Sequence, residues 1–289
     1  MPVHGSSIVK LSAALATASG MLACGQTLPF EPPHDSGQSI TGAFEGWFKN
    51  PDGSYSLLLG YYNRNRKQEL DIPVGPSNQI EPGGPDRGQP VHFLVGRQWG
   101  MFAVKVPSDF GESKIFWTII ANGKTTVIPA SLKTDYEISP FVEAAVGNTP
   151  PAVGFEEKGP FVQGPQGLST ERTAKLGTPL TLTVWVSDDA KLTTSSGAPP
   201  KDLSAPVTLR WSKYRGPGEA RFDQGKLEAE KKEGPDTAAA FRGKITTTVM
   251  FSEPGQYVLH VVANDYSGEG GGGFQCCWTN GQVTVSVEP

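Results

Sequence analysis

The chain has 289 residues, which is enough for two domains of ordinary size that each bury a core. Its 35 glycines and 25 prolines favour many short strands joined by turns over long helices. The net charge of -4 provides no basic field for a polyanion, which argues against nucleic acid as the main ligand.

Residues 1–24 are predicted to be a signal segment. Lys10 precedes an apolar stretch of small residues from Leu11 to Ala23, which is too short to span a bilayer and typical of secretory signals. Cleavage near Ala23 would release a soluble protein. Lipidation of Cys24 would anchor it, because Leu22-Ala23-Cys24 resembles a bacterial lipobox, and an uncleaved anchor is the third alternative. The sequence thus predicts export to the periplasm or cell surface, with membrane contact only through lipid on Cys24 or through a partner.

Residues 25–41 form a Pro-rich leader, and residues 42–140 are predicted to form an N-terminal β domain. The turn Asn50-Pro51-Asp52-Gly53 separates two strand-like segments, and Asn122-Gly123 lies within a second predicted hairpin from Ile115 to Ile128. Asn-Gly pairs favour two-residue hairpin turns because both residues tolerate positive φ angles. These elements predict a small sandwich or barrel whose strand order the sequence leaves open.

Residues 141–168 are predicted to be a linker and first-strand region, because the prolines and glycines there disfavour a helix. Residues 169–289 are predicted to form a second domain, in which apolar residues recur at every other position as in strands with one buried face. The alternating residues are Leu180, Leu182, Val184, Val186, Val207, Leu209, Trp211, Tyr257, Leu259, Val261, Ala263, Val283, Val285 and Val287. The predicted fold class is therefore all-β, with two β-sandwich-type domains in tandem and an immunoglobulin-like one at the C terminus.

Several short segments of this second domain follow one another in a characteristic order. They are Asn148-Thr149-Pro150-Pro151, Leu180-Thr181-Leu182-Thr183-Val184 followed by Asp188-Asp189, Val207-Thr208-Leu209-Arg210-Trp211-Ser212 with Gly216-Pro217-Gly218, and Phe251-Ser252-Glu253-Pro254-Gly255-Gln256-Tyr257 leading to Ala263-Asn264-Asp265. In order and spacing, residues 148–289 resemble the PKD (polycystic kidney disease) and related immunoglobulin-like repeats of bacterial surface proteins. The resemblance implies a spacer, an adhesive module, or a carbohydrate- or protein-facing appendage. The long segment from Asn264 to Gly281 departs from the family pattern and argues against a simple spacer.

Three residues of this domain have predicted positions in the sandwich. Trp211 lies where immunoglobulin-like domains bury an indole, and Tyr257 follows Pro254-Gly255 as the tyrosine of a tyrosine corner does. His260 has the opposite parity from its apolar neighbours, so we expect it to face solvent or a partner.

Apart from Cys24, the only cysteines are adjacent, at Cys276 and Cys277. Free thiols on the loop of an exported protein do not persist, so we expect a vicinal disulfide, with buried reduced thiols and intermolecular bridges as alternatives. Two sulfurs without a second Cys pair or a His at ligand spacing do not make a zinc site.

Carboxylates at two strand ends make calcium a candidate ligand. Asp188 and Asp189 end one predicted strand and Asp265 ends another, and this topology places both ends at the same end of the sandwich. With Asn264 and Glu269, these oxygens could hold calcium. The alternative is that the carboxylates cap turns and solvate loops; no other cofactor is predicted.

Recognition is predicted at the loop from Asn264 to Gly281, which is longer than a hairpin requires. The binding segment is expected to comprise Phe274, Cys276, Cys277 and Trp278. The alternative is that Phe274 and Trp278 fold back and pack onto the end of the core.

No catalytic motif accompanies these features. The chain has no nucleophile elbow, no zinc-protease helix and no phosphate-binding loop, and His92 and His260 lie on predicted strands of different domains. We therefore expect a non-catalytic binding or scaffolding protein that docks on an envelope or membrane protein complex, with a protein as the favoured partner. An accessory role in a secreted hydrolase system is one alternative. Another is binding of polysaccharide through exposed aromatic residues, namely Trp47, Tyr61, Tyr62 and Trp99.

Overall fold

The computed structural model describes Met1 and residues 34–143, 147–191, 207–224, 226–228, 241–265 and 276–289. Strands dominate these ranges, and a 3-10 turn at Thr134–Tyr136 is the one helical element within them. No helix in this part of the chain is long and apolar enough to cross a membrane. The prediction of an all-β chain with two β-sandwiches is confirmed. Apart from Met1, the predicted signal segment, including Cys24, lies outside the described residues.

The first sandwich is formed by strands β1 to β8. They are β1 (Ile40–Lys49), β2 (Tyr55–Asn63), β3 (Leu70–Asp71), β4 (Asn78–Glu81), β5 (His92–Phe93), β6 (Gly96–Val106), β7 (Lys114–Ala121) and β8 (Lys124–Ser131). One sheet has the order β1-β2-β6, a second has the order β4-β7-β8, and β3 pairs with β5. The sheets enclose one core, to which Leu57, Tyr61, Phe93 and Trp117 contribute large buried side chains.

Both predicted hairpin turns are present in this sandwich. Gly53, with φ at 84°, lies between β1 and β2. Asn122 and Gly123, with φ at 49° and 74°, connect β7 to β8. Two consecutive positive φ angles give the turn a twist that matches the twist of the flanking strands, which explains the Asn-Gly pair.

The second sandwich is formed by strands β9 to β17. They are β9 (Ala152–Gly154), β10 (Leu168–Lys175), β11 (Leu180–Asp188), β12 (Thr208–Arg215), β13 (Ala220–Phe222), β14 (Lys226–Glu228), β15 (Phe241–Phe251), β16 (Gly255–Asn264) and β17 (Trp278–Glu288). A five-stranded sheet has the order β10-β17-β16-β12-β14, and a four-stranded sheet has the order β13-β15-β11-β9. The pairing of β11 with β15 in one sheet and of β12 with β16 in the other is the immunoglobulin-like arrangement.

The predicted alternation and two of the predicted side-chain positions are confirmed. The alternating apolar residues face the core between the two sheets, with Trp211 only 5% exposed. The buried Tyr257 hydroxyl donates to the Glu253 carbonyl at 3.0 Å and accepts from the Gly218 amide at 3.1 Å. This pair of hydrogen bonds fixes the chain before β16, as a tyrosine corner does.

The two sandwiches pack against each other within one compact unit, Pro33–Pro289. The outer face of the five-stranded sheet contacts the first sandwich, and we call this contact the inter-sandwich interface. Tyr214 of β12 joins the core of the first sandwich, and its hydroxyl donates to the Gly88 carbonyl at 2.5 Å. Trp278 of β17 packs with Leu58 of β2 and Val262 of β16. The outer face of the four-stranded sheet takes no part in these contacts.

His260 lies in this interface. It is 1% exposed, and its ring centre is 5.6 Å from that of Tyr214. Burial, followed by the positive charge of Arg210, lowers the pKa of His260 to about 4. The expectation that His260 faces solvent is therefore wrong. The alternative expectation was a partner surface, and the first sandwich of the same chain provides it.

Candidate functional site

The carboxylates predicted to bind calcium lie at one end of the second sandwich. Asp188 and Asp265 are both buried, and Asn148 donates from Nδ2 to Asp265 Oδ2 at 2.5 Å. Asp188 Oδ2 accepts the Ala190 amide at 2.7 Å, whereas Oδ1 of the same carboxyl is buried without a hydrogen-bond partner. Burial, opposed by the Ala190 hydrogen bond and reinforced by the charges of Asp265 and Asp189, raises the pKa of Asp188 to about 7.

Asp189 is engaged by local partners instead. Its oxygens accept the Thr149 hydroxyl and the Lys191 amide, each at 3.0 Å. In the described ranges, no group of three or more His, Cys, Asp and Glu side chains is arranged to hold a metal ion. Glu269, the further ligand expected from the loop, lies outside those ranges. The calcium site therefore stays a prediction.

Cys276 and Cys277 form the vicinal disulfide that the sequence favoured. Both residues are buried, with exposures of 4% and 0%. The Cys277 sulfur lies 3.5 Å from the Asn148 carbonyl oxygen, which is a van der Waals contact because a bridged sulfur carries no hydrogen. The bridge is thus enclosed beside the segment that precedes β9.

Burial also removes Trp278 from the predicted binding segment. The indole is 1% exposed and covers Gly100, where a Cβ atom would overlap the ring. The alternative of inward packing holds for Trp278, with one correction: the indole fills the inter-sandwich interface and not the end of the second core. The described part of the segment, Cys276 to Trp278, therefore offers no binding surface. Phe274 lies outside the described residues.

The aromatic residues predicted to face polysaccharide do not form one surface. Trp47 and Tyr61 are buried in the first core, at 8% and 0% exposure, so that expectation is wrong for both. Tyr62 is exposed. Trp99 is partly covered by the Arg97 guanidinium, which lies 3.8 Å from the ring centroid.

Polar bonds across the inter-sandwich interface hold the two sandwiches in one arrangement. Asn280 Nδ2 donates across the interface to the Gly100 carbonyl at 2.7 Å, and within the first sandwich the Gly100 amide donates to the buried Glu45 at 2.7 Å. Arg215 binds both carboxylate oxygens of Asp86 at 2.8 Å and also reaches the Gln89 carbonyl. Because the Asn280 and Arg215 bonds join the two sandwiches, residues of both sandwiches contribute to the surface at the edge of the interface.

A pocket of about 780 Å³ opens at that edge, and we call it the interface pocket. Its charged lining comes from both sandwiches. The residues are Glu69, Asp71 and His92 from the first sandwich and Arg210, Lys213, Glu219 and Glu253 from the second. A pocket of this size can accept a side chain or a short chain segment of a partner.

His92 is the central group of the pocket wall. Its Nδ1 lies 2.9 Å from Asp71 Oδ1 and its Nε2 lies 3.0 Å from Glu69 Oε2. Lys213 reaches the Asp71 carboxylate at 3.2 Å and donates to the Gly218 carbonyl at 3.1 Å. The hydrogen bond from His92 is the main cause of a lowered pKa at Glu69. Both imidazole nitrogens face carboxylates, so neither is directed at a hydroxyl that it could activate.

The exposed charge of the interface pocket is acidic. The Lys213 side chain is only 9% exposed, whereas those of Asp71 and Glu219 are 54% and 66% exposed. Lys213 is therefore held inward and Arg210 is half-buried, and these two cations are outnumbered by the carboxylates of Glu69, Asp71, Glu219 and Glu253, so the rim is mainly acidic. Such a rim favours a basic partner segment.

Sequence reasoning missed this pocket because its two halves are about 140 residues apart. One signal was available: Glu69 and Asp71 flank Leu70 and so share one face of a strand, and His92 is an isolated polar residue on another. Nothing in the sequence shows that Lys213 faces them.

No family model matches the chain, and no curated protein matches it. Similar solved structures include WR4, an MSP family member from C. elegans, with 9% identity, 40% of this chain and 92% of that chain covered, and a TM-score of 0.23. Domains 4 and 5 of the S-layer protein SbsC share 12% identity over 87% of this chain and 98% of theirs, with a TM-score of 0.22. The D00-D0 domain of Intimin shares 13% identity over 86% of this chain and 99% of that chain, with a TM-score of 0.24. Similarity at this level carries no argument about function.

Proposed function

We propose that this chain is an exported, non-catalytic binding or scaffolding protein that docks on a protein complex of the cell envelope or membrane. The observation that carries the proposal is the interface pocket, whose acidic rim is assembled from both sandwiches. The favoured partner is a protein that inserts a basic segment there. Export rests on the predicted signal segment, and the second sandwich is proposed to be PKD-like.

The inter-sandwich interface supports a docking role because it fixes the two halves of the pocket. Domains joined by a small, polar interface generally move relative to each other, whereas a large apolar interface holds them in place. Here Tyr214 enters the neighbouring core and Trp278 is buried between the sandwiches. A preformed pocket loses little conformational entropy when it binds a partner.

The geometry around His92 supports the absence of catalysis. Its two nitrogens are engaged by Asp71 and Glu69, so it lacks a free nitrogen for general-base chemistry. Ser252, another residue of the pocket, accepts the Glu219 amide at 2.8 Å, and no contact between its hydroxyl and His92 is present in the described chain. The arrangement provides charge and shape without an activated nucleophile.

Crosslinking in intact cells, followed by mass spectrometry and reconstitution with the purified partner, tests the docking proposal. We expect Glu69→Lys/Glu253→Lys to weaken the binary complex by at least about tenfold, because two rim charges are reversed. Glu112→Lys is the matched control, since it changes an exposed acid of the first sandwich that is remote from the pocket lining. Equal affinity for all three proteins would remove the pocket from the docking surface.

The mature N terminus tests the mode of export. Mass spectrometry of the processed protein should show either a lipid on Cys24 followed by an intact Gly25, or an unmodified start near Ala23. A lipidated protein would be retained at the membrane without a partner, so the docking experiment must then include detergent-solubilised protein. An unprocessed cytoplasmic chain would contradict export.

A further inference from the structure

The outer face of the four-stranded sheet carries a second concave site. We call it the outer groove; it has a volume of about 680 Å³ and is lined by Glu157, Phe161, Trp185, Ser187, Arg242 and Lys244. None of these residues lines the interface pocket, and the sheet face lies opposite the one that packs on the first sandwich. The site is therefore independent of the proposed docking surface.

An aromatic surface forms the floor of the outer groove. Trp185 of β11 pairs directly with Gly154 of β9, and the ring of Phe161 lies over Gly154, 3.0 Å from where a Cβ atom would stand. The absence of a side chain at Gly154 therefore lets Phe161 lie beside the half-buried Trp185. Phe161 remains 43% exposed. Partly exposed aromatic side chains such as Phe161 and Trp185 can stack on planar or ring-shaped ligands.

Two cations lie next to this aromatic floor. Lys244 is opposite Trp185 in the register of β11 and β15, and Arg242 is opposite Ser187, so all four share the outer face. Among the described residues Lys244 has no ion-pair partner. A cation that is already committed to an acid would add little, whereas Lys244 is available to a ligand carboxylate.

The remaining polar groups suit hydroxyls. The Ser187 hydroxyl can donate and accept, and the Glu157 carboxylate accepts hydrogen bonds. A purely anionic ligand would be repelled by Glu157, but a ligand that carries both hydroxyls and a carboxylate satisfies every group in the groove. An acidic peptide would satisfy the cations and leave the aromatic floor without a matching ring.

We infer that the outer groove binds an acidic saccharide, in which a sugar ring stacks on Trp185 and Phe161 and a uronate carboxylate binds Lys244. Glu157 and Ser187 bind ring hydroxyls. The protein thus holds a glycan through one face of its second sandwich while the opposite face is closed by the first.

Calorimetric titration of the full chain tests this inference with a galacturonic acid tetramer and a hyaluronan tetrasaccharide. We expect at least one of these uronate probes to bind, and a neutral galactose tetramer to bind at least about tenfold more weakly. Trp185→Ala and Phe161→Ala should each weaken uronate binding by about tenfold or more. Tyr62→Ala, which removes an exposed ring of the first sandwich, is the matched control and should bind as the wild type does.

Lys244→Gln separates recognition of charge from stacking. This variant should bind uronate and neutral probes with affinities that differ by less than about twofold, while Lys124→Gln on the first sandwich keeps the wild-type preference. Melting temperatures of all variants establish that each is folded. No heat with either uronate probe at about 10 mM, unchanged affinity in the folded Trp185→Ala and Phe161→Ala variants, or tighter binding of a glutamate tetrapeptide would each overturn the inference.

Discussion

The two sheets of the second sandwich share one core, but only one of their outer faces packs against the first sandwich. The outer face of the five-stranded sheet presents Trp278, Val262 and His260; all three are buried, and the first two pack on Leu58 of the first sandwich. The outer face of the four-stranded sheet presents Trp185 and Lys244, and within the described ranges no other sheet covers it. An indole on the outer face of a sheet stabilises the fold when a neighbouring sheet covers it. The same indole is available to a ligand when no sheet covers it.

The largest expected difference between the faces comes from truncating their indoles. Trp278→Ala should lower the free energy of unfolding by about 3–5 kcal/mol, because it leaves a cavity between two packed sheets. Trp185→Ala should cost less than about 1 kcal/mol, since its side chain is half-buried on an open face. Chemical denaturation of the two variants measures both values. Equal losses would mean that the two faces do not differ in packing.

Substitution of Gly100 tests how closely Trp278 packs on the covered face, because it adds a side chain without removing any atom of the indole. Its φ is 49°, and a Cβ atom there would overlap the Trp278 indole. Gly123 has a φ of 74° and open space around it, so Gly123→Ala reports the backbone strain alone. Gly100→Ala should be less stable than Gly123→Ala by about 1–3 kcal/mol in thermal or chemical unfolding, which is the cost of overpacking. Similar stabilities would contradict close packing of Trp278 on Gly100.

A third prediction concerns how stability depends on pH. It involves Asp188, which is buried at the end of β11 and belongs to neither of the outer faces compared above. The fold raises the pKa of Asp188 from 3.8 to about 7, so the folded state binds a proton more tightly than the unfolded state does. Stability contributed by this group is full below the unfolded pKa and is lost as the pH rises towards about 7, with a slope of at most about 1.4 kcal/mol per pH unit. Asp188→Asn should remove this slope, because a carboxamide does not titrate.

His260 gives the control for that experiment. Its pKa falls from 6.5 to about 4, so its contribution to stability increases as the pH rises between these values. The two groups therefore contribute stability slopes of opposite sign between about pH 4 and pH 6.5, and only Asp188 contributes a slope between pH 6.5 and about pH 7. Unfolding curves at pH 5, 6 and 7 for wild type and Asp188→Asn separate them. The raised pKa would be contradicted if the difference in free energy of unfolding between the wild type and Asp188→Asn did not change with pH.

The smallest expected effect concerns a polar bond of the inter-sandwich interface. Arg215 binds Asp86 through two nitrogens and also reaches the Gln89 carbonyl, so Arg215→Lys should cost about 1 kcal/mol by losing the two-pronged geometry. Arg221 pairs with Glu219 on the open surface, with a side chain 82% exposed, and Arg221→Lys should cost less than about 0.5 kcal/mol. Denaturant midpoints compare the two. A larger effect at Arg221 would place the stabilising contacts outside the interface.

Local rules were enough to predict most of the second sandwich. Alternating apolar residues specified its inward faces, and Pro254-Gly255 before Tyr257 specified the tyrosine corner. The Asn122-Gly123 pair specified a hairpin in the first sandwich. Each of these signals acts between residues that are neighbours in sequence or on one strand, which is why a single sequence contains them.

The amino-acid pattern was therefore sufficient to predict which residues share a face, where the chain reverses, and that the chain is all-β. Only the tertiary structure decided what lies across each outer face. Contacts between distant elements bury His260 and Trp278 and leave Trp185 in the lining of the outer groove. They also bring Glu69 and Lys213 into one pocket and raise the pKa of Asp188. The physical reason is that a period of two assigns a side chain to one side of a sheet, whereas burial, charge and hydrogen bonding depend on elements that approach from distant parts of the chain.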